Sequence, residues 1–244
     1  MVDSGPSLRG VGSARFQING SLLSVGMAQP RPGKADEFVG RVTRYARERW
    51  LGVSWTYIAG REDPQLVAAF QSYGFHIRES LLLMGRVGAL IEPTKPISGV
   101  SITPIRTFEE MQAYERISTW GFGNQPHPSR EQILARARER WDEQLAQWYH
   151  YYLGWLNREP AGGAYVSLWE PVPTIYGVVT APPSQRRGVA GQVMIRLVRD
   201  TLTRGFPWTC LYVAVGNPAE QLYHSLGYAT IWEQASYQWG DPRW

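Results

Sequence analysis

Between Thr174 and Arg204 the chain changes from one backbone habit to another within a few residues. Thr174 to Thr180 reads as a β-strand, and Pro182 and Pro183 end it. Val189 to Arg204 reads as an amphipathic helix. Val189, Val193 and Leu197 form one apolar ridge, with Met194, Val198 and Leu202 beside it. Between them lies Gln185-Arg186-Arg187-Gly188-Val189-Ala190, followed by Gly191. Gly188 lacks a Cβ where the backbone must turn sharply or meet a ligand. A turn of this kind aims several N–H groups at one point, and the helix start adds partial positive charge. Such a place holds a phosphate or pyrophosphate without a metal. The same residues also suit an ordinary connection flanked by two solvated arginines.

A second pattern follows. Thr209-Cys210-Leu211-Tyr212-Val213 reads as a buried strand, and Gly216-Asn217-Pro218-Ala219-Glu220-Gln221-Leu222-Tyr223-His224-Ser225-Leu226-Gly227-Tyr228 as a helix and its exit. Asn217 suits an N-cap, Pro218 a first helical position and Gly227 a C-cap. The loop, the Asn at a helix start, the Leu-Tyr pair and the Gly-Tyr step together resemble the GNAT superfamily of N-acetyltransferases.

The order of elements extends the resemblance over residues 100–240. Val100 to Arg106 reads as a strand. Thr107 to Thr119 reads as a helix opened by a capping box of Thr107 and Glu110. A Gly/Pro loop from Trp120 to Pro128 leads to a helix from Ser129 to Tyr149. Strands at Tyr151–Leu156, Ala161–Leu168 and Thr174–Thr180 precede the loop, and two more near Tyr228–Trp232 and Ala235–Trp239 end the pattern. The fold class expected is therefore α/β (α+β), a mixed, mostly antiparallel sheet flanked by helices. Gly88, Pro93, Pro96 and Gly99 mark a break. The GNAT domain is expected over 100–244, with a smaller lobe over 1–90 and a ragged start over the first twenty residues.

That lobe reads as the back half of a second GNAT fold. Gly52, Trp55 and Gly74 each have a like residue 153 positions later, in Gly205, Trp208 and Gly227. Phe70 stands in the register of Tyr223, without the hydroxyl. Pro30-Arg31-Pro32-Gly33-Lys34-Ala35 stands for the loop, with proline before its glycine. Both changes point to a copy that does not catalyse.

The resemblance implies acetyl-CoA as co-substrate and a primary amine of a small molecule or peptide as acceptor. The residues Gln185, Arg186, Arg187, Gly188, Val189, Ala190 and Gly191 would meet the pyrophosphate. Val178, Val179 and Thr180 would meet the pantetheine arm through their backbone, and Asn217, which is equally a helix cap, matches a residue that contacts the arm. A backbone N–H of this strand would polarise the thioester oxygen. Tyr223 matches the family's general acid, since a phenol with pKa about 10 can protonate a thiol with pKa about 8.5. No carboxylate lies on the strand itself. Glu170 is the nearest candidate base, His150 and His127 are others, and a chain of waters is the alternative. Trp120, Phe122, Trp141, Trp148, Tyr149, Tyr151 and Tyr152 could line an acceptor pocket or simply form core.

Composition bounds the partners. A net charge of +4 suits a polyanionic ligand but is too mild and dispersed for nucleic acid. The single cysteine, Cys210, excludes an internal disulfide and reads as a small buried hydrophobe. No metal site is legible. No apolar run reaches membrane-spanning length, so the cytoplasm is expected, with a homodimer left open. A non-catalytic acyl-CoA-binding regulatory module is the alternative function, and an interaction protein on the same fold a third.

Overall fold

The computed structural model describes residues 6–58, 63–88, 96–123, 128–168 and 172–240. The chain divides into two compact units. The first holds residues 1–83, 214–216 and 231–244; the second holds 84–213 and 217–230.

The first unit opens with β1 (Gly12–Asn19) and β2 (Leu22–Pro30), an antiparallel hairpin. Helix α1 (Ala35–Glu48) carries the chain to β3 (Gly52–Ile58), which lies parallel to β2. Helix α2 (Pro64–Ser72) follows, with Pro64 in its first turn and Asp63 accepting from the Gln65 N–H at 2.9 Å. Strand β4 (His76–Val87) leaves the unit at its far end. The core gathers around Trp55, which is fully buried among Phe38, Phe70 and Phe75.

In the second unit β5 (Val100–Pro104), β6 (Tyr149–Leu156), β7 (Glu159–Ser167) and β8 (Thr174–Thr180) run antiparallel in that order. Helices α3 (Phe108–Gly123) and α4 (Arg130–Leu145) lie between β5 and β6 in the chain. Both begin with capping boxes, the expected one of Thr107 with Glu110 and another of Ser129 with Gln132. Helix α5 (Val189–Thr203) joins β8 to β9 (Trp208–Ala214), which lies parallel to β8. Its ridge packs where β6 and β7 carry glycine. A Cβ on Gly154 or Gly162 would stand 2.9 Å from the Val189 side chain. Val193, Met194 and Leu197 are fully buried on that ridge, each contributing about 1.5–3 kcal/mol by leaving water. Helix α6 (Ala219–Ser225) precedes β10 (Ala229–Trp239).

The two units repeat one plan. In the β1–β2 hairpin Ser13 pairs with Gln29 and Arg15 with Gly26, so β2 holds one extra residue. In the β7–β8 hairpin Gly163 pairs with Val179 and Tyr165 with Tyr176, the same bulge 150 residues further on. Phe70 O accepts from the Phe75 N–H across Gly74, as Tyr223 O accepts from the Tyr228 N–H across Gly227. This is the same helix exit, 153 residues apart. The first unit thus repeats the bulged hairpin and the helix exit of the second.

The structure corrects several expectations. Residues 12–19, expected to be ragged, form β1, which is held by its ladder to β2. The helix expected to reach Tyr149 ends at Leu145, because Gln147 turns left-handed at φ 60° and β6 begins at Tyr149. Helix α3 runs through Trp120 to Gly123. The two late strands are one, β10, whose residues 234–239 pair antiparallel with β3. Trp55 and Trp208 are not equivalents. Trp55 is the fourth residue of β3 and fully buried, whereas Trp208 is the first residue of β9 and 53% exposed.

Candidate functional site

The site begins with the bulge of β8. Gly177 adopts φ 61°, a left-handed conformation that a strand residue with a side chain rarely takes. Beyond it the parallel pair comes apart. Thr174 pairs with Cys210 and Ile175 with Leu211, and β8 then continues to Thr180 without a further register partner on β9. Ala181 N–H donates to Ala161 O at 2.8 Å. By the alternation of an antiparallel ladder, Val179 turns its main chain towards β7 as well. Thr180 and Val178 therefore turn their N–H and C=O groups to the side that β9 has left. Gln185 Nε2 donates to Thr180 O at 3.4 Å on that side.

The opened edge faces the start of α5. Arg186 (φ 60°) and Gly188 (φ 80°) are both left-handed. Gly188 caps the helix, and the first bond of the helix ladder runs from the Gln192 N–H to Gly188 O at 3.1 Å. The N–H groups of Val189, Ala190 and Gly191 precede that bond and have no acceptor within the helix. A left-handed residue followed by helical ones turns successive N–H groups to one side, and the helix dipole adds to their charge. Opposite stand Asn217 and the face of α6. Together these elements line a pocket of about 520 Å³.

Residues 152–237 match the family described as FR47-like protein. A stretch of 72 residues is 40% identical to a mycothiol acetyltransferase of Thermobifida fusca. That stretch is 29% of this chain, and it spans only 22% of the relative's length. Among solved structures, a GCN5-related N-acetyltransferase from Sphaerobacter thermophilus superposes with a TM-score of 0.72 at 16% identity, covering 94% of this chain and 76% of that one. A tandem GNAT protein from the clavulanic acid biosynthesis pathway gives 0.70 at 13% identity, covering 94% and 78%. This chain has the GNAT fold. At such identities the solved structures speak for the fold alone.

In the second unit the pocket gathers Val178, Val179, Thr180, Gln185, Arg186, Gly188, Val189, Ala190, Gly191, Asn217 and Tyr223. Arg187 stands outside it, exposed to solvent. Val179 contributes a side chain shared with the core and not an open backbone edge. Asn217 acts one position earlier than expected. Helix α6 starts at Ala219, and Asn217 Oδ1 accepts from the Ala219 N–H at 2.9 Å. Tyr223 is 5% exposed and stands against Tyr228, with ring centroids 6.2 Å apart. Burial pushes its phenol up to about 12.

Glu170 and His127 lie outside the described residues. His150 is half-buried, and burial, then Arg204, holds its imidazole below the usual range. The aromatic set does not form one wall. Tyr151 and Tyr152 point to opposite faces, Tyr152 donating to Asp200 on the α5 side at 3.0 Å. Tyr151, Tyr165 and Tyr176 instead form a ladder across β6, β7 and β8, with the Arg140 guanidinium 5.3 Å from the Tyr165 ring. Arg140 is ion-paired with the buried Glu115. Ser184, Pro218, Ala219 and Leu222 also line the pocket, a contribution the sequence reading missed. The glycine inside an otherwise β-like run, Thr174-Ile175-Tyr176-Gly177-Val178, was the available signal for the bulge. Among the described residues, no helix is long and apolar enough to cross a membrane.

Proposed function

We propose that this chain is an acetyl-CoA-dependent N-acetyltransferase that moves the acetyl group directly to a primary amine of a small molecule or peptide. The observation that carries this reading is the edge of β8 at Val178 and Thr180 that β9 leaves without a strand partner, ending at the N–H cluster of α5. A strand-like amide arm and a diphosphate need these two features, joined in this order. Acetyl-CoA supplies an acetyl group activated as a thioester.

The chain's own residues then have distinct tasks. Val189, Ala190 and Gly191 give N–H bonds to the diphosphate, and Arg186 adds charge from the rim. Thr180 and Val178 extend their backbone to the arm, as a neighbouring strand would. The Val178 N–H meets the thioester oxygen, where negative charge grows as the amine nitrogen bonds to the carbonyl carbon. Tyr223 Oη gives its proton to the sulfur as the C–S bond breaks, and regains one from water. The protons that the acceptor nitrogen sheds before and after attack leave through water, with Glu170, which precedes β8 in the sequence, the candidate carboxylate.

The test is release of free thiol over a library of primary amines, including the deacetylated form of mycothiol, with calorimetry of acetyl-CoA binding beside it. Binding with amine-dependent thiol release is expected. Binding without release would make the chain an acyl-CoA-binding regulatory module. No binding at millimolar acetyl-CoA would defeat both readings.

A further inference from the structure

Tyr114 lies on α3, outside the pocket lining, yet its hydroxyl donates to Gly177 O at 3.1 Å. The residue is fully buried, and its ring occupies space that glycines leave open. A Cβ on Gly163 would stand 2.7 Å from Tyr114 Cδ2, and one on Gly177 would fall on the Tyr114 hydroxyl. The Tyr151 ring supports it edge-on, with centroids 5.6 Å apart. Burial pushes this phenol well above its ordinary range, so it remains a donor at any working pH.

The acceptor of this bond is half of one peptide unit. Gly177 C=O and Val178 N–H share a planar trans amide, so they point in opposite directions. Holding the carbonyl towards α3 fixes the N–H towards the pocket side. A hydrogen bond to the carbonyl also polarises the amide and strengthens its N–H as a donor. Glycine at 177 gives the bulge its left-handed turn but leaves the peptide plane weakly constrained.

We propose that Tyr114 is a positioning residue of the acetyl-transfer site, orienting and polarising the Gly177–Val178 peptide so that the Val178 N–H bonds the thioester oxygen. This rests on the acetyl-CoA reading above. The role concerns the acyl group alone, so it separates acetyl-CoA from CoA, which a purely structural role does not.

The test is the infrared C=O stretch of carbonyl-labelled acetyl-CoA bound to the full chain, together with calorimetric affinities for acetyl-CoA and CoA. The wild type is expected to shift the stretch to lower frequency. Tyr114→Phe is expected to reduce that shift by roughly 10–30% or more. It should weaken acetyl-CoA about fivefold and leave CoA within about twofold. Replacing Tyr114 by 3,5-difluorotyrosine, a stronger donor of nearly the same shape, should enlarge the shift, and this remains measurable if Tyr114→Phe does not fold. An unchanged shift in the variants, with acetyl-CoA and CoA weakened equally, would overturn the role of Tyr114 while leaving the cofactor reading intact. A wild type that binds neither ligand overturns the cofactor reading and this role together.

Discussion

Ile97 lies against Gly188, so that a Cβ built on the glycine would fall on the Ile97 side chain. The missing side chain therefore makes room for a neighbouring residue, and the left-handed φ of 80° makes a second demand. Gly188→Ala is expected to cost about 1–2 kcal/mol of stability from the backbone alone. Gly188→Glu adds a carboxylate where an anion should bind and is expected to weaken acetyl-CoA more than about tenfold. Thermal melts and calorimetry check the two effects separately. A dissociation constant equal to the wild type's would contradict the second.

Arg186 lines the pocket and Arg187 does not. Arg186→Ala should weaken CoA by about three- to tenfold, with a flatter dependence on salt, while Arg187→Ala should stay within about twofold. Equal losses in the two variants would show that general surface charge, and not the place of Arg186, attracts the ligand.

Tyr223→Phe should lower turnover while acetyl-CoA affinity changes less than about threefold, because the hydroxyl acts on the departing sulfur. Burial holds the phenol up to about 12, so its protonated form persists through the alkaline range used for assays. Turnover should therefore show no descending limb between about pH 8 and 10.5 that Tyr223→Phe removes. A pH–rate profile that falls near 10 in the wild type and is flat in the variant would refute this.

Tyr114, Tyr151, Tyr152, Tyr223 and Tyr228 are all raised above the ordinary phenol range, with burial the largest cause for each. The unfolded chain ionises first, near pH 10, while the folded chain holds these phenols neutral. Their contribution is complete below about pH 10 and is lost as the pH climbs towards the folded values. Urea midpoints measured at pH 9 and pH 11 should fall between the two. Constant midpoints would mean that these hydroxyls reach solvent.

Much of the second unit was legible because its signals are local. Thr107 with Glu110 and Ser129 with Gln132 announce helix starts within four residues of sequence. Gly188 and the apolar ridge of α5 announce a strand–turn–helix. What stayed hidden depends on partners far along the chain. β1 alternates modestly and becomes a strand through its ladder to β2. Glu233 and Gln234 interrupt the apolar pattern inside β10, yet pairing of Gln234 with Ile58 carries the strand through. Tyr152 reads like its neighbour Tyr151, and only the sheet shows that its hydroxyl meets Asp200. The spacing that equates Trp55 with Trp208 holds at the exits of α2 and α6 but slips by three at the starts of β3 and β9.

The pairing of β10 with β3 has a practical outcome for anyone dividing this polypeptide. A fragment cut at the Gly/Pro break after Val87 would lack residues 234–239, and the flank of β3 would lie bare. A naked strand flank recruits whatever extended chain it meets, so such a fragment should clump. Residues 234–239, remote in the chain from β3, complete its sheet, and neither piece of such a cut is expected to yield a well-behaved protein without the other.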